Sequence, residues 1–396
     1  MKKVALIGNP ANNFFSIARY LRDRGFDARL FLMEQEEREW PHFHPSADSF
    51  TEEYKEYTET SFFSKHPTPF FHTSKASIRA FFQLFDFVIG CSTLPAYAAK
   101  AGIQLDMFIP YGSDLYWTPF YTWRRANWKK LVKRNVLAYY QRQGIRKSRY
   151  FLFDNTNSDN ESVLNKVNPK GRWIKGNAPF IYIDEYDFIS KGLPAYPSKH
   201  FQELSKIKKL HDFVVFHHCR HEWKSVPKEN LAYKANNHLI EGFAKFVRKH
   251  RCKPLLVLCE YGTDVSHSKK LIQDLGITEF VYWLPVLPRK ELMLCLTLAD
   301  IGVGELGRSW FSYSVIFEFM TMGVPVVHNR DERLYKDKVL YPMFCVKSAS
   351  DVCNVLRHFV ESPEHFKDVG LAGKRWFKTF AIDQPLKKIV KAISEA

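Results

Sequence analysis

The sequence is poor in the features that mark several protein classes. Its seven cysteines are odd in number and form no Cys-x-x-Cys pair. That pattern argues against a disulfide framework or a zinc site and for reduced, mostly buried thiols. No run approaches the ~20 apolar residues that a membrane-spanning helix needs. After Met1-Lys2-Lys3 the apolar run covers only Val4 to Ile7 before Gly8-Asn9-Pro10 breaks it, so it reads as a first strand and not as a signal peptide. A soluble, cytoplasmic protein is expected, free or on the cytosolic face of a membrane. The loop after that strand, Gly8 to Asn13, lacks Gly-x-Gly-x-x-Gly, and a dinucleotide site is not supported. Acidic residues are also scarce: 42 Asp+Glu against 58 Lys+Arg leave a formal charge of +16. Such a surplus points to a polyanionic partner, whether nucleic acid, anionic lipid or phosphorylated small molecules.

What is present is enough for two cores in 396 residues, with an unusually high 34 Phe. Short uninterrupted apolar runs alternate with helical periodicity throughout, the signature of α/β folds with parallel sheets. In the first half the strands are Val4–Ile7, Ala28–Leu32, Phe85–Ile89, Met107–Pro110, Tyr150–Phe153 and 173–177, and residues 34–80 look irregular. In the second half they are Phe213–Phe216, Pro254–Cys259, Phe280–Pro285, Ile301–Val303, Val324–Val327 and Tyr341–Val346. The expected division is 1–190, with a terminal helix from 380–396 added, and 209–379, joined by the polar run from Ser190 to Lys208.

The stretch from Ala299 to Val327 organises the chain. A strand ending at Val303 runs into a glycine turn (Gly304, Gly307), then a helix of about ten residues that carries Glu318. Gly323 is a natural helix stop because glycine tolerates positive φ. A helix start beneath a glycine turn at the end of a parallel strand is where open α/β sheets bind anionic ligands. Glu318, Gly323, Pro325, Val326 and Val327 resemble the signature of the large retaining nucleotide-sugar family of GT-B glycosyltransferases. That signature has a second glutamate eight positions earlier, where this chain has Trp310.

The resemblance implies two Rossmann-like domains facing a cleft, a C-terminal helix crossing back to the first, and sugar transfer without a metal or other cofactor. UDP- or GDP-sugars are the implied donors, and a glycan or lipid-linked molecule of a cell-surface polysaccharide or glycoconjugate is the implied acceptor. Glu318 takes the role of holding the donor ribose, with Glu305, Gly307 and Ser312 beside it; an ordinary helix salt bridge also accounts for Glu318. Arg220, at the end of the Phe213 strand, and Lys234, before the next helix, take the roles of stabilising the leaving diphosphate. Tyr261, Trp283 and Leu284 fall at strand ends that flank the nucleobase, although core packing suits Trp283 nearly as well. His217, His218 and His221 are not read as a metal site, since the first two point to opposite sides of a strand.

In the first half the resemblance places Tyr111 where the family has a histidine before Gly-x-Asp. A tyrosine hydroxyl donates a hydrogen bond but is no base at neutral pH, its ordinary pKa being ~10. Ser113 and Asp114, with Asn12 and Asn13 of the first loop, are candidate acceptor-side residues; plain turn formation explains them equally. Residues 120–150 hold ten Lys or Arg and no Asp or Glu, with Trp128, Leu131, Val132, Val136, Tyr139 and Tyr140 at helical spacing. Contact of basic residues 124–149 with an anionic membrane surface fits this pattern, and so does a core-facing stripe beneath a solvated basic face. Nucleic acid is not expected, because no recognisable binding fold surrounds the patch. A nucleotide-sugar epimerase or hydrolase, or a catalytically degenerate binding partner, are the alternative readings of the same fold.

Overall fold

The computed structural model describes residues 1–34, 41–120, 128–153 and 158–396. Two compact units divide the chain: Met1–Tyr182 with Thr379–Ala396, and Ile183–Lys378.

The first unit is built on a seven-stranded parallel sheet. Its strands are β1 (Lys3–Ile7), β2 (Asp27–Leu32), β3 (Thr58–Thr60), β4 (Phe87–Gly90), β5 (Met107–Phe108), β6 (Tyr150–Leu152) and β7 (Arg172–Ile174). They run in the order β3-β2-β1-β4-β5-β6-β7. Val4 to Ile7 are fully buried, as a strand covered on both faces requires. The region expected to be irregular holds β3 and two helices, Pro67–His72 and Lys75–Phe82. Its phenylalanines form a tertiary cluster in which Phe63 meets Phe81 and Tyr97 edge-on at 5.0 Å. The C-terminal helix Gln384–Ser394 belongs to this unit, where Lys2 Nζ donates to Ile393 O at 2.9 Å and Arg172 pairs with Glu395 at 3.0 Å.

The basic helix spans Trp128–Lys147. Leu131, Leu137, Ala138 and Ile145 are buried, and Val136 and Tyr140 pack against the same core. Gly144 is needed because a Cβ there would stand 1.8 Å from Pro95 O of the neighbouring helix Leu94–Ala101. Most of the expected apolar stripe is therefore spent on the protein core, and Val132 and Tyr139 remain exposed. Of the expected membrane surface, residues 124–127 lie outside the described residues.

The second unit holds a six-stranded parallel sheet: β8 (Phe213–His217), β9 (Pro254–Cys259), β10 (Val281–Leu284), β11 (Ile301–Val303), β12 (Val326–His328) and β13 (Phe344–Cys345). The order is β10-β9-β8-β11-β12-β13. The stretch expected to be a connection contains the helix Lys199–Lys208, capped by the Ser198 side chain accepting from Phe201 N. It docks on this unit, with Lys208 Nζ donating to Leu298 O at 2.8 Å. The helix carrying Glu318 spans Ser314–Met322 and stops at Gly323, whose φ is +73°. In each sheet the connections reverse direction beside the first strand, between β1 and β4 and between β8 and β11. Those switch points, at the C-terminal ends of the strands, are where open α/β sheets take their ligands.

Candidate active site

The switch point of the second unit gathers buried charge from five segments. β8 ends in His217, and the chain continues through His218, Cys219 and Arg220. His217 Nδ1 lies 2.8 Å from Val303 O at the end of β11, and Asn236 Nδ2 donates to its Nε2 at 2.9 Å. Burial, then the neighbouring His221, lowers the His217 pKa to about 3. The ring is neutral, with its proton on Nδ1. Asn236 also donates to Arg220 O at 3.1 Å and accepts from Glu222 N at 3.0 Å, so one amide ties the strand end to the start of the helix Asn236–Lys249. The preceding Ala235 is held at φ +54°, a conformation that costs a non-glycine residue about 1 kcal/mol. Such local strain is a mark of functional sites.

Two ion-pair groups close around this turn. Glu318 Oε2 lies 2.8 Å from His218 Nε2, and Glu318 Oε1 accepts from Arg289 Nε at 3.1 Å. Burial alone would raise the Glu318 pKa; His218 and Arg289 outweigh it and hold the carboxyl below its ordinary value. Lys234 Nζ meets Glu305 Oε1 at 2.6 Å, the two side chains being 9% and 10% exposed. Cys219 joins the groups: its thiol is pushed well above the ordinary value by burial first and then by Glu305, with Lys234 and Glu318 also acting on it. Glu305 is aimed by Tyr313, whose hydroxyl accepts from Glu305 N at 2.6 Å. That hydroxyl occupies the space a Cβ on Gly304 would need, leaving 2.1 Å, and it explains the glycine. Among the described residues, buried polar atoms here without a partner include His218 Nδ1, His221 Nε2, Glu305 Oε2 and Trp310 Nε1. Buried polar groups are normally satisfied, so these atoms are open to water or to a polar ligand at the switch point.

The loop 221–233 is stapled by Asp264, which accepts from Trp223 N and Lys224 N at 2.7 Å and from Ser225 N at 3.0 Å. Burial opposes ionisation, but these bonds and the Ser225 hydroxyl hold its carboxyl well below the usual range.

In the first unit a cavity of about 180 Å³ opens at the C-terminal strand edge, lined among others by Asn13, Tyr111, Tyr116, Asn177 and Phe180. Asn13 is buried, and its Oδ1 has no partner. Tyr111 is 48% exposed. Asp114 is buried and accepts from Gly112 N at 2.8 Å, Ser92 N at 2.9 Å and Tyr111 N at 3.0 Å. Burial raises its pKa despite those bonds.

The sequence matches no family model and no curated protein. Solved structures resemble it over the whole chain. Anabaena HepE, solved in complex with UDP, is 14% identical with a TM-score of 0.60, covering 100% of both chains. A glycosyltransferase from Rickettsia africae is 14% identical with a TM-score of 0.60, over 100% of this chain and 98% of its own. UDP-GlcNAc 2-epimerase from Neisseria meningitidis, bound to UDP-GlcNAc, is 12% identical with a TM-score of 0.59 over 100% of both. The fold is GT-B.

Within this GT-B chain the expected residues separate into groups. Glu318, Glu305 and Lys234 converge in one buried cluster at the switch point. Arg220 is exposed beside it, and no ion pair is present on it among the described residues. Gly307 backs onto Tyr233, and Ser312 is half-buried. Tyr261 is 47% exposed at the end of β9, and the half-buried Trp283 ring carries Lys269 Nζ 5.3 Å from its centroid. Leu284 is at 0% exposure, a core residue of β10 with no surface to offer a base. Asn13 and Tyr111 share the first unit's cavity, and Ser113 is exposed nearby in sequence. Asp114 and Asn12 serve as loop staples, Asn12 accepting from Asn9 Nδ2 at 2.7 Å. His218, Arg289, Asn236, Tyr313 and Asp264 went unassigned in the sequence. Arg289, basic and directly after Pro288 at a helix start, carried the one visible signal.

Proposed function

We propose that this protein is a glycosyltransferase that takes a sugar from a nucleotide-sugar donor, with UDP-sugars as the first class to test. The observation carrying the reading is the buried cluster of Lys234–Glu305 and His218–Glu318–Arg289 at the switch point, with its unpartnered polar atoms. Solved relatives of the fold that hold UDP or UDP-sugars support it.

In this reading Glu318 accepts from the ribose hydroxyls. A carboxylate has about four acceptor positions, and His218 and Arg289 use two. The diphosphate lies over the N-terminus of the helix Asn236–Lys249, where free N–H groups and the helix dipole favour negative charge. Arg220, exposed and without a carboxylate partner, supplies the mobile cation as charge builds on the leaving group. Tyr261 and Trp283 flank the base. The acceptor is a glycan or glycolipid, brought to the cytosolic membrane face by the basic helix. Transfer in this reading is retaining and metal-independent, and front-face displacement is the favoured route because Glu305 and Glu318, the cluster's carboxylates among the described residues, are already engaged by Lys234 and by His218 and Arg289. An inverted anomeric product by NMR would contradict that stereochemistry.

The test is thermal unfolding with UDP-, GDP-, ADP- and CMP-sugars, for wild type and Arg220→Ala. A ligand at ~100 times its Kd adds ~2.7 kcal/mol. One donor is expected to stabilise the wild type and to lose most of that effect in Arg220→Ala, whose own Tm is unchanged because the side chain is exposed. No response to any nucleotide sugar would overturn the reading. A second reading, a nucleotide-sugar epimerase or hydrolase on the same fold, is supported by the likeness to UDP-GlcNAc 2-epimerase. Consumption of donor without an acceptor would select it.

A further inference from the structure

The first unit carries a second, larger cavity at the opposite edge of its sheet. It measures about 790 Å³ and is lined by Arg146, Lys147, Arg149, Lys170 and Arg172. These residues precede β6 and β7 or, for Arg172, open β7, at the N-terminal ends of the strands, whereas Asn13 and Tyr111 line the cavity at the C-terminal ends. We infer that this basic cavity is a binding site for a phosphate-bearing ligand, independent of the donor site.

Five cations converge on one concavity with little to neutralise them. Arg172 pairs with Glu395 at 3.0 Å, and among the described residues no other member of the five has an ion-paired carboxylate. Asp106 lies within electrostatic reach of Arg149, but one of its oxygens is committed to Val88 N at 2.9 Å. Arg146 Nε donates to Val167 O at 3.3 Å, which orients the guanidinium and leaves its charge in place. Like charges repel, and a fold gains nothing in stability by collecting them around open space. An anion relieves that repulsion.

The shape is set in advance. Gln104 Nε2 donates to Lys147 O at 2.9 Å, and a Cβ on Gly171 would stand 2.0 Å from Ser148 O, so the loops before β6 and β7 are locked together. Tyr139 and Tyr140 also line the cavity, and aromatic surface suits the non-phosphate part of a ligand. A forked arginine set favours phosphate over a simple monovalent anion. The ligand's source is either a soluble phosphorylated metabolite or a phospholipid headgroup, and the two share this chemistry.

The experiment uses the full chain in an Arg220→Ala background, which weakens any contribution from the donor site. Inorganic pyrophosphate is titrated by calorimetry, and vesicles of phosphatidylcholine with and without phosphatidylglycerol are tested by co-sedimentation. Lys147 and Lys170 are exposed, so Lys147→Glu/Lys170→Glu is expected to fold, and Lys147→Ser/Lys170→Ser is the milder second variant. Lys245→Glu/Lys249→Glu on the other unit makes the same change in net charge and is the control. Binding of at least one probe is expected, weakened at least tenfold in both cavity variants, unchanged in the control and reduced by salt. Pyrophosphate binding without vesicle binding identifies a soluble ligand, and phosphatidylglycerol-dependent sedimentation identifies a headgroup. Binding of neither probe, or equal binding by the cavity variants, would overturn the assignment.

Discussion

The Lys234–Glu305 pair allows the structural and chemical roles of the cluster to be separated. Both side chains are about nine-tenths buried, and they meet at 2.6 Å. Removing one partner strands the other charge away from water; breaking buried pairs this way costs about 3–5 kcal/mol. Lys234→Met leaves Glu305 with both oxygens unpaired, since Oε2 has no partner already. For a unit of this size each kcal/mol moves Tm by ~2–4 °C, so the single variant is expected to unfold roughly 6–20 °C lower. Lys234→Met with Glu305→Met removes both charges at similar volume, and such replacements are often neutral or stabilising. Its Tm is therefore expected near the wild type. Donor binding is expected to weaken in both variants, because methionine side chains remove the polar groups, including the unpartnered Glu305 Oε2, that the site offers a ligand. Calorimetric unfolding gives the first quantity and titration with UDP the second. A single variant that unfolds within about 2 °C of wild type would refute the burial argument. A double variant that binds UDP normally would refute the role of the pair in the donor site.

Further outcomes follow from the same geometry. Glu318→Gln removes the charge that holds His218 and Arg289, and a loss of about 2–4 kcal/mol is expected in urea unfolding at pH 7. Because the Glu318 pKa is depressed in the folded state, its contribution is present above the ordinary carboxylate range and lost as pH falls. The gap between wild type and Glu318→Gln should accordingly narrow towards pH 4. Buried His217 and His328 are lowered to about 3 and His221 to about 4, from 6.5. Depressed histidines stabilise above the unfolded value, so the second unit should lose up to ~1.4 kcal/mol per pH unit for each as pH drops below about 6.5. Urea midpoints across pH 5 to 8 check the slope, and a flat profile would contradict it. Gly304→Ala forces the Tyr313 hydroxyl from its seat; overpacking of about 1–3 kcal/mol and loss of UDP affinity are expected.

Much of the fold was legible because strands buried on both faces read as continuous apolar runs. Val4–Ile7, Phe213–Phe216 and Pro254–Cys259 could hardly be anything else at that length. Residues 34–80 were not legible, since what orders them is a set of aromatic contacts between distant segments, such as Phe63 with Tyr97. Helical spacing revealed the apolar stripe on Trp128–Lys147, but spacing carries no information about what covers it. The cover is largely Leu94–Ala101, at the close approach that Gly144 permits.

The candidate site was half legible for a related reason. Strand ends and the glycine turn locate Arg220, Lys234, Glu305 and Glu318, but pairing is a tertiary property. Glu318 meets His218 across 100 positions and Arg289 across 29. The resemblance gives Lys234 the role of stabilising a leaving diphosphate. An ammonium that is 9% exposed is costly to leave charged and unpaired, and Glu305 offsets that cost. The consequence reaches the chemistry. Lys234 and Arg289 each face a carboxylate, so the cluster is close to neutral before a donor arrives. The uncompensated positive potential at the switch point then rests on Arg220 and the first turn of Asn236–Lys249. Under the proposed function, Arg220→Ala is therefore expected to weaken binding of a nucleoside diphosphate more than any change within the paired cluster that leaves it neutral.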